Sequence, residues 1–335
     1  MKKRSQRQEK LAKVYDEEIL PIWSQRFGRM LMHHLDLPPK AQVLDVCCGT
    51  GYPALELIKK MDSEGRIIAI DASPAMLDVA REKAGDLSGK RIFFRSEQAT
   101  PRLSFANDVF DLVVSNLGLS DLPDSAAAIT EFSRVCKPGG HVMATLPLQG
   151  SWAEFYDIYR EVLTKHDKHE TLRRLEAHIA RMPDPDEVVR WIERAGLTDI
   201  GLEVEQFTLL FKSSREFFFA PVIEYGPLQQ WKEVAGRGQE MQDIFWFIKE
   251  AIDAYFGKRA FTVTVLACCL RATKPRPEDR AQARSAAPAV SRQVTNEFVE
   301  VHSDIRDAGA VERSVSREEL VIEDDDLEMV EDDEP

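Results

Sequence analysis

The chain has 335 residues, 44% of them apolar, enough for one large domain or two small ones with a sizeable core. Its formal charge of −13 excludes a dedicated nucleic-acid binder, which would be basic. From Ala272 to Pro335 there are 8 Lys/Arg against 18 Asp/Glu, so the acidity belongs to the tail and the body is close to neutral.

Residues 8–36 carry helical periodicity, with Leu11, Tyr15, Ile19, Trp23, Phe27 and Met30 on the apolar side and an interruption expected at Pro21. The spacing predicts one or two helices, an N-terminal segment 1–37 ending at Pro38-Pro39. Strands and helices then alternate: strands at 41–46, 66–70, 91–94, 109–114 and 141–146, helices at 51–61, from Ser73-Pro74 and at 124–136. Repeated βα units of this length imply a parallel sheet with helices on both faces. Beyond the fifth strand come helical patterns at 151–182 and Pro185–Ala195, a strand at 199–211 and a last strand at 260–270. The 213–258 stretch between the last two strands is rich in aromatics and far longer than a hairpin needs, so it is an insertion that packs against or covers a site.

The tail, 272–335, is Pro-, Ala-, Ser- and Glu-rich and ends in VIEDDDLEMVEDDEP, a composition expected to be disordered. It reads as a solubilising appendage or a docking segment for a basic protein partner. The five cysteines, at 47, 48, 136, 268 and 269, show no metal or disulfide spacing and read as buried thiols in a reducing cytosol. The basic N-terminus is followed by no apolar stretch, and no run of 18 apolar residues occurs, which predicts a soluble, cytoplasmic protein without integral membrane association.

The chemistry centres on AQVLDVCCGTG, 41–51: a strand, a glycine turn and a helix, the usual cradle of a nucleotide-like ligand. Asp45 precedes the turn, and Asp71 follows Gly51 by twenty residues, the distance at which an acidic side chain meets ribose hydroxyls. A dehydrogenase competes at this point. Against it stand the missing third glycine, with Pro53-Ala54 after the second, and the acid before the turn, which suits an ammonium better than a pyrophosphate. Lys137-Pro138-Gly139-Gly140 opens the fifth strand.

VLDVCCGTG (43–51), IIAIDASPAML (67–77), RSEQA (95–99), FDLVVSNLGLSDLPD (110–124) and VCKPGGHVMATLP (135–147) together resemble the class I S-adenosylmethionine-dependent methyltransferases, in particular the small-molecule group that includes the quinone-biosynthesis C-methyltransferases. The resemblance covers about residues 12–271; Cys47 in the glycine turn and Glu97, where the group often has aspartate, depart from its pattern. It implies a Rossmann-like, mostly parallel seven-stranded α/β sheet over 38–271, with an antiparallel last strand and helical insertions at 151–182 and 213–258. It implies S-adenosyl-L-methionine as cofactor, with Asp45, Cys47, Gly49, Thr50 and Gly51 at its methionine end, Asp71 at the ribose, and Ala72 and Met76 flanking the adenine. Glu97 and Gln98 would lie near the exocyclic amine, and Asn116 and Leu117 where the methyl group leaves.

Methyl transfer from a sulfonium is an in-line displacement that mainly requires alignment and exclusion of water, with no metal. An oxygen or carbon acceptor calls for a base, for which Tyr15, His33, His34, Asp121, His166 and His169 are available; single histidines read first as surface or packing residues. In the resembled topology 151–182 and 213–258 emerge at the ligand edge, so with the N-terminal helices they are expected to cap an apolar or aromatic acceptor. The body lacks a basic stripe, and Asn116-Leu117-Gly118-Leu119 lacks the Pro-Pro-aromatic of base N-methylation, so nucleic acid is not the expected acceptor. A protein methyltransferase and a non-catalytic cofactor-binding regulatory protein remain alternatives.

Overall fold

A computed structural model describes residues 6–257, 259–279 and 290–296. The N-terminal segment forms α1 (Gln6–Val14), a π-helix (Tyr15–Ser24) and α2 (Gln25–His33). No break occurs at Pro21: it lies inside the π-helix, whose wider turn takes up the residue that would disrupt an α-helical ladder.

β1 (Gln42–Val46), α3 (Ala54–Lys60), β2 (Arg66–Asp71), α4 (Pro74–Ala84), β3 (Ile92–Ser96), β4 (Phe110–Asn116), α5 (Ser125–Val135) and β5 (Cys136–Pro147) follow. Ser73 accepts a hydrogen bond from the Met76 N–H and Pro74 fills the first turn, the start expected for α4. β5 begins five residues before the predicted His141, because Cys136 already pairs with Phe110 of β4 and Lys137–Gly140 are taken up in a register shift before Leu112 meets His141. Then come α6 (Ala153–Lys165), α7 (His169–Ile179), α8 (Pro185–Arg194) and β6 (Thr198–Phe211). The insertion contributes α9 (Ser214–Phe219), α10 (Pro221–Glu224), α11 (Leu228–Ala235) and α12 (Gly238–Phe256) before β7 (Phe261–Thr273).

The sheet order is β3-β2-β1-β4-β5-β7-β6-β8, where β8 is Val290–Asn296. β1 to β5 pair in parallel, β7 runs antiparallel to both neighbours, and β6 is thereby parallel to the first five. The chain order reverses beside β1, so β1 and β4 flank the crevice at the carboxyl ends of the strands, where open α/β sheets hold ligands. Alternate strand residues feed two cores. Val43, Ile67 and Leu112 meet α2, α3, α6 and the insertion, while Leu44, Val113 and Val142 meet α5 and α8.

Among the described residues the sheet has eight strands, not the expected seven, and the tail is ordered further than its composition predicts. β7 runs on to Thr273; Lys274 is buried, its ammonium donating to Asp108 Oδ1 at 2.6 Å and to the Cys136 carbonyl at 2.8 Å. β8 adds in parallel to the β6 edge, backbone ladder bonds doing what apolar burial could not. The rest of the tail expected to be disordered, 280–289 and 297–335, lies outside the described residues. Among the described residues no helix is long and apolar enough to cross a membrane.

Candidate active site

β1 delivers the chain into a turn in which Cys47, Gly49 and Gly51 all have positive φ, at 61°, 50° and 96°. Two glycines take that conformation without strain; Cys47 is the exception the sequence made conspicuous. The carboxylate of Asp71 organises the turn, one oxygen accepting from the Gly49 N–H at 2.9 Å and the other from the Ser73 N–H at 2.8 Å. One side chain thus ties the glycine turn to the start of α4.

Asp45 is sealed from solvent. Its Oδ2 accepts from the Ala54 N–H at 3.1 Å, and burial, opposed by that bond and reinforced by Asp71, pushes its carboxyl well above the usual carboxylate range. Asp45 Oδ1, Thr50 Oγ1 and Ser115 Oγ are buried without a hydrogen-bond partner among the described residues. Buried polar atoms are nearly always bonded, so three orphans around one turn suit a ligand rich in donors and acceptors.

From the other side β4 closes on the turn. A Cβ on Gly118 would lie 2.5 Å from Cys47 Cβ and 2.7 Å from Ser115 Oγ, so only glycine lets the two loops meet. Sequence reasoning stopped at Leu117 and missed Gly118, whose one signal was a glycine two residues past the end of a strand. Leu117 adopts φ 67° and donates to Thr145 Oγ1 at 3.0 Å. Asn116 is buried, its Nδ2 donating to the Ser24 carbonyl at 2.9 Å and its Oδ1 accepting from Thr145 Oγ1 at 2.7 Å. It fastens the N-terminal segment over β4 and β5.

Of the remaining candidates, Ala72 and Gln98 are exposed and Met76 half-buried. Glu97 is engaged, accepting from the Ser104 N–H at 2.7 Å and hydroxyl at 2.9 Å and pairing with Arg95 at 2.9 Å. It holds its own loop. Cys47, Gly49, Asp71, Ala72, Met76, Gln98 and Leu117 are thus exposed or half-buried, while Asp45, Thr50, Gly51 and Asn116 are buried.

Tyr15 covers the turn, its ring 3.5 Å from where a Gly49 Cβ would stand and its hydroxyl 2.7 Å from Ser24 Oγ. Burial, against the Ser24 bond, pushes its phenol up to about 12, which makes it a neutral roof and a poor resting base. The Cys47 thiol is likewise pushed up to about 12, by burial and then by Asp71, Asp121 and Asp45, so it is no nucleophile. Asp121 is open to the cleft, yet its low-dielectric walls and the charge of Asp71 raise its carboxyl too.

Next to Leu117 and Asp121 lies a cavity of about 1080 Å³, walled by Trp23, Trp152, Tyr156 and Tyr225 and reaching α7 at His178. Trp23 stacks on Trp152 with centroids 5.6 Å apart, and Trp152 meets Trp231 edge-on at 5.8 Å. The insertion thus stands at the strand carboxyl ends, α10 against the π-helix, α11 against α7 and α12 against α6. Its aromatics divide. Phe155, Tyr159, Phe217 and Trp231 are fully buried among themselves, a satellite core, while Trp23, Trp152 and Tyr156 face the space. The histidines considered from sequence lie elsewhere: His34 pairs with Glu203 at 2.8 Å, His166 stacks on Phe247 at 3.8 Å, and His33 and His169 are exposed. His178, which the sequence did not single out, reaches the cavity.

Residues 5–209, more than half the chain, match the model of the ubiE/COQ5 methyltransferase family. A demethylmenaquinone methyltransferase of Lactiplantibacillus plantarum is 36% identical over 137 residues, 40% of this chain and 57% of that protein, so the chain spans little more than half of it. A second, from Halalkalibacterium halodurans, is 29% identical over 58% of this chain and 84% of its own length. Among solved structures, the YcgJ protein of Bacillus subtilis superposes with a TM-score of 0.50 at 16% identity, covering 75% of this chain and 99% of that one, a likeness of fold. The chain belongs to the ubiE/COQ5 methyltransferase family and is a class I S-adenosylmethionine-dependent methyltransferase of a small-molecule acceptor.

Proposed function

We propose that this protein methylates a hydroxylated aromatic acceptor of the demethylmenaquinone type, held in the cavity beneath α6, α7, α10 and α11. The observation that carries the reading is the meeting of Gly118 with the glycine turn, which sets the Asp71-braced turn next to Leu117, a residue of the cavity wall. The bound cofactor supplies a methyl carbon activated by a sulfonium. Cys47, Gly49, Thr50 and Gly51 would receive its methionine end with Asp45 holding the turn from behind. Asp71 would meet the ribose, Ala72 and Met76 the adenine, and Gln98 the exocyclic amine. Glu97 would act through the 97–104 loop, and Asn116 through the N-terminal segment. Trp23 and Trp152 would exclude water and clamp a planar acceptor.

The acceptor is small, and nucleic acid is not among the partners we assign, in keeping with the near-neutral body and the aromatic residues in the cavity wall. Five unpaired thiols support a cytoplasmic setting, and the charge of the tail supports docking to a basic protein. Isothermal titration with S-adenosylhomocysteine tests the donor half, with saturable one-to-one binding expected; no binding to the folded protein would sink it. Incubation with S-adenosylmethionine and chemically reduced demethylmenaquinone tests the acceptor half, with a mass gain of one methyl expected. Failure of the second with success of the first would move the acceptor to another chemical class.

A further inference from the structure

We propose that Tyr156 and His178 form a proton relay that takes the hydroxyl proton from the acceptor in the cavity, an inference that rests on the hydroxylated-aromatic reading above. Both side chains line the cavity, Tyr156 from α6 and His178 from α7, with the phenolic oxygen 3.3 Å from His178 Nε2. The same oxygen receives the Trp231 indole N–H at 3.1 Å.

An indole nitrogen only donates, so Trp231 occupies one lone pair of the Tyr156 oxygen and cannot take its proton. The relay gives that proton His178 Nε2 as its partner, with the histidine hydrogen on Nδ1 in the neutral ring. The remaining lone pair of Tyr156 is the place for an acceptor hydroxyl. Trp231 is itself fixed, fully buried, stacked on Phe155 at 4.0 Å, with its carbonyl accepting from Tyr159 at 3.1 Å. A plain packing tyrosine would need none of this alignment.

In the step, the acceptor O–H bond breaks and its proton joins the Tyr156 oxygen, while the Tyr156 O–H bond breaks and its proton joins His178 Nε2. The acceptor becomes an oxyanion and His178 an imidazolium; no electrons are gained or lost. Burial, then Arg181, holds the His178 ring below its ordinary value while Glu233 opposes, so it rests neutral and ready to accept. Burial, against the Trp231 bond and Arg160, pushes Tyr156 up to about 12, so it rests protonated and passes a proton on without storing a charge. The charged groups around the pair are Arg174 on α7 and Arg181 just past its end, Arg160 on α6 paired with Glu176, Glu233 on α11, Glu187 on α8, and Asp121 and Asp124 across the cavity. Glu233 would stabilise the imidazolium once formed.

The test uses the full chain saturated with S-adenosylhomocysteine and titrated with 1-naphthol over a range of pH, followed by ultraviolet difference spectroscopy. The naphtholate band of the bound ligand is expected to appear at lower pH in the wild type than in either variant. Tyr156→Phe and His178→Gln, each checked for a native melting transition, should bind naphthol with affinity reduced by less than about tenfold and shift that band to higher pH. With reduced demethylmenaquinone, kcat/KM of the wild type should rise with pH through the His178 titration and level off. His178→Gln should lose that limb and fall roughly 100-fold. Bound naphthol that ionises at the same pH in the wild type and in both variants would overturn the relay and leave the acceptor reading standing. Naphthol that fails to bind a protein saturated with S-adenosylhomocysteine would overturn relay and acceptor site together, with the donor half intact.

Discussion

On the donor side of the cleft, residues 45–51, 71–76 and 115–118 sit at the ends of three neighbouring strands, and the contacts that matter are backbone to carboxylate: Gly49 and Ser73 to Asp71, Ala54 to Asp45. On the acceptor side Trp23, Trp152, Tyr156 and Trp231 come from a π-helix, the start of α6 and α11, and they meet through side chains alone, by ring packing and the Trp231–Tyr156 hydrogen bond. Backbone geometry needs a short stretch with glycines in fixed places, whereas a packed aromatic wall accepts many solutions from distant segments. The first half can stay constant while the second is rebuilt around a new acceptor.

The sharpest way to break the comparison is to damage one half and read the other. Trp231→Ala removes a fully buried indole from the satellite core and is expected to cost about 3–5 kcal/mol of stability, seen as a large drop in the melting temperature. Below that transition, S-adenosylhomocysteine affinity should stay near the wild-type value and acceptor turnover should collapse. Equal loss of both would show that the two halves fold as one unit and that their separation is only geometric. Asp71→Ala is the converse. It strands the N–H groups of Gly49 and Ser73 and should weaken S-adenosylhomocysteine binding by about 1–3 kcal/mol in calorimetry, with naphthol binding retained. Unchanged cofactor affinity would overturn the assignment of Asp71 to the ribose.

The same contrast explains what could be read from residues alone. β1, β2 and β4 were legible because Val43-Leu44, Ile67-Ile68 and Leu112-Val113 must fill two cores at once, leaving continuous apolar runs. The turn was legible because positive φ leaves glycine as the default at 49 and 51. The surroundings of its neighbours were not: Asp45, Thr50 and Asn116 are buried by tertiary packing, and Glu97 is engaged by Ser104 and Arg95. Gly118 and His178 were missed for the opposite reason. Nothing local marks them, since one matters through Cys47, seventy-one positions away in the chain, and the other through Tyr156. The ordered start of the tail was hidden too, because Lys274 earns its burial from Asp108 and Cys136.

The smallest expected effect sharpens the border of the donor half. On the outer face Glu131 of α5 accepts the Leu103 N–H at 2.8 Å and pairs with Arg134, which also donates to the Leu103 and Phe105 carbonyls, so the two side chains clamp the 103–105 loop. The hydrogen bond from Arg134, against a burial penalty, holds the Glu131 carboxyl below its ordinary 4.5. A depressed folded value means the stabilisation is complete above the unfolded value and is lost as pH falls through the folded one. Glu131→Gln should therefore cost about 0.5–1 kcal/mol at neutral pH, and its deficit in chemical denaturation should shrink as the pH drops below about 4.5. Since this clamp lies behind the loop that carries Glu97 and Gln98, S-adenosylhomocysteine affinity is expected to hold if the donor half ends at Asp71, Ala72 and Met76. A loss of affinity approaching that of Asp71→Ala would mean that the 97–104 loop belongs to the cofactor site and that α5 supports it from the far face of the sheet.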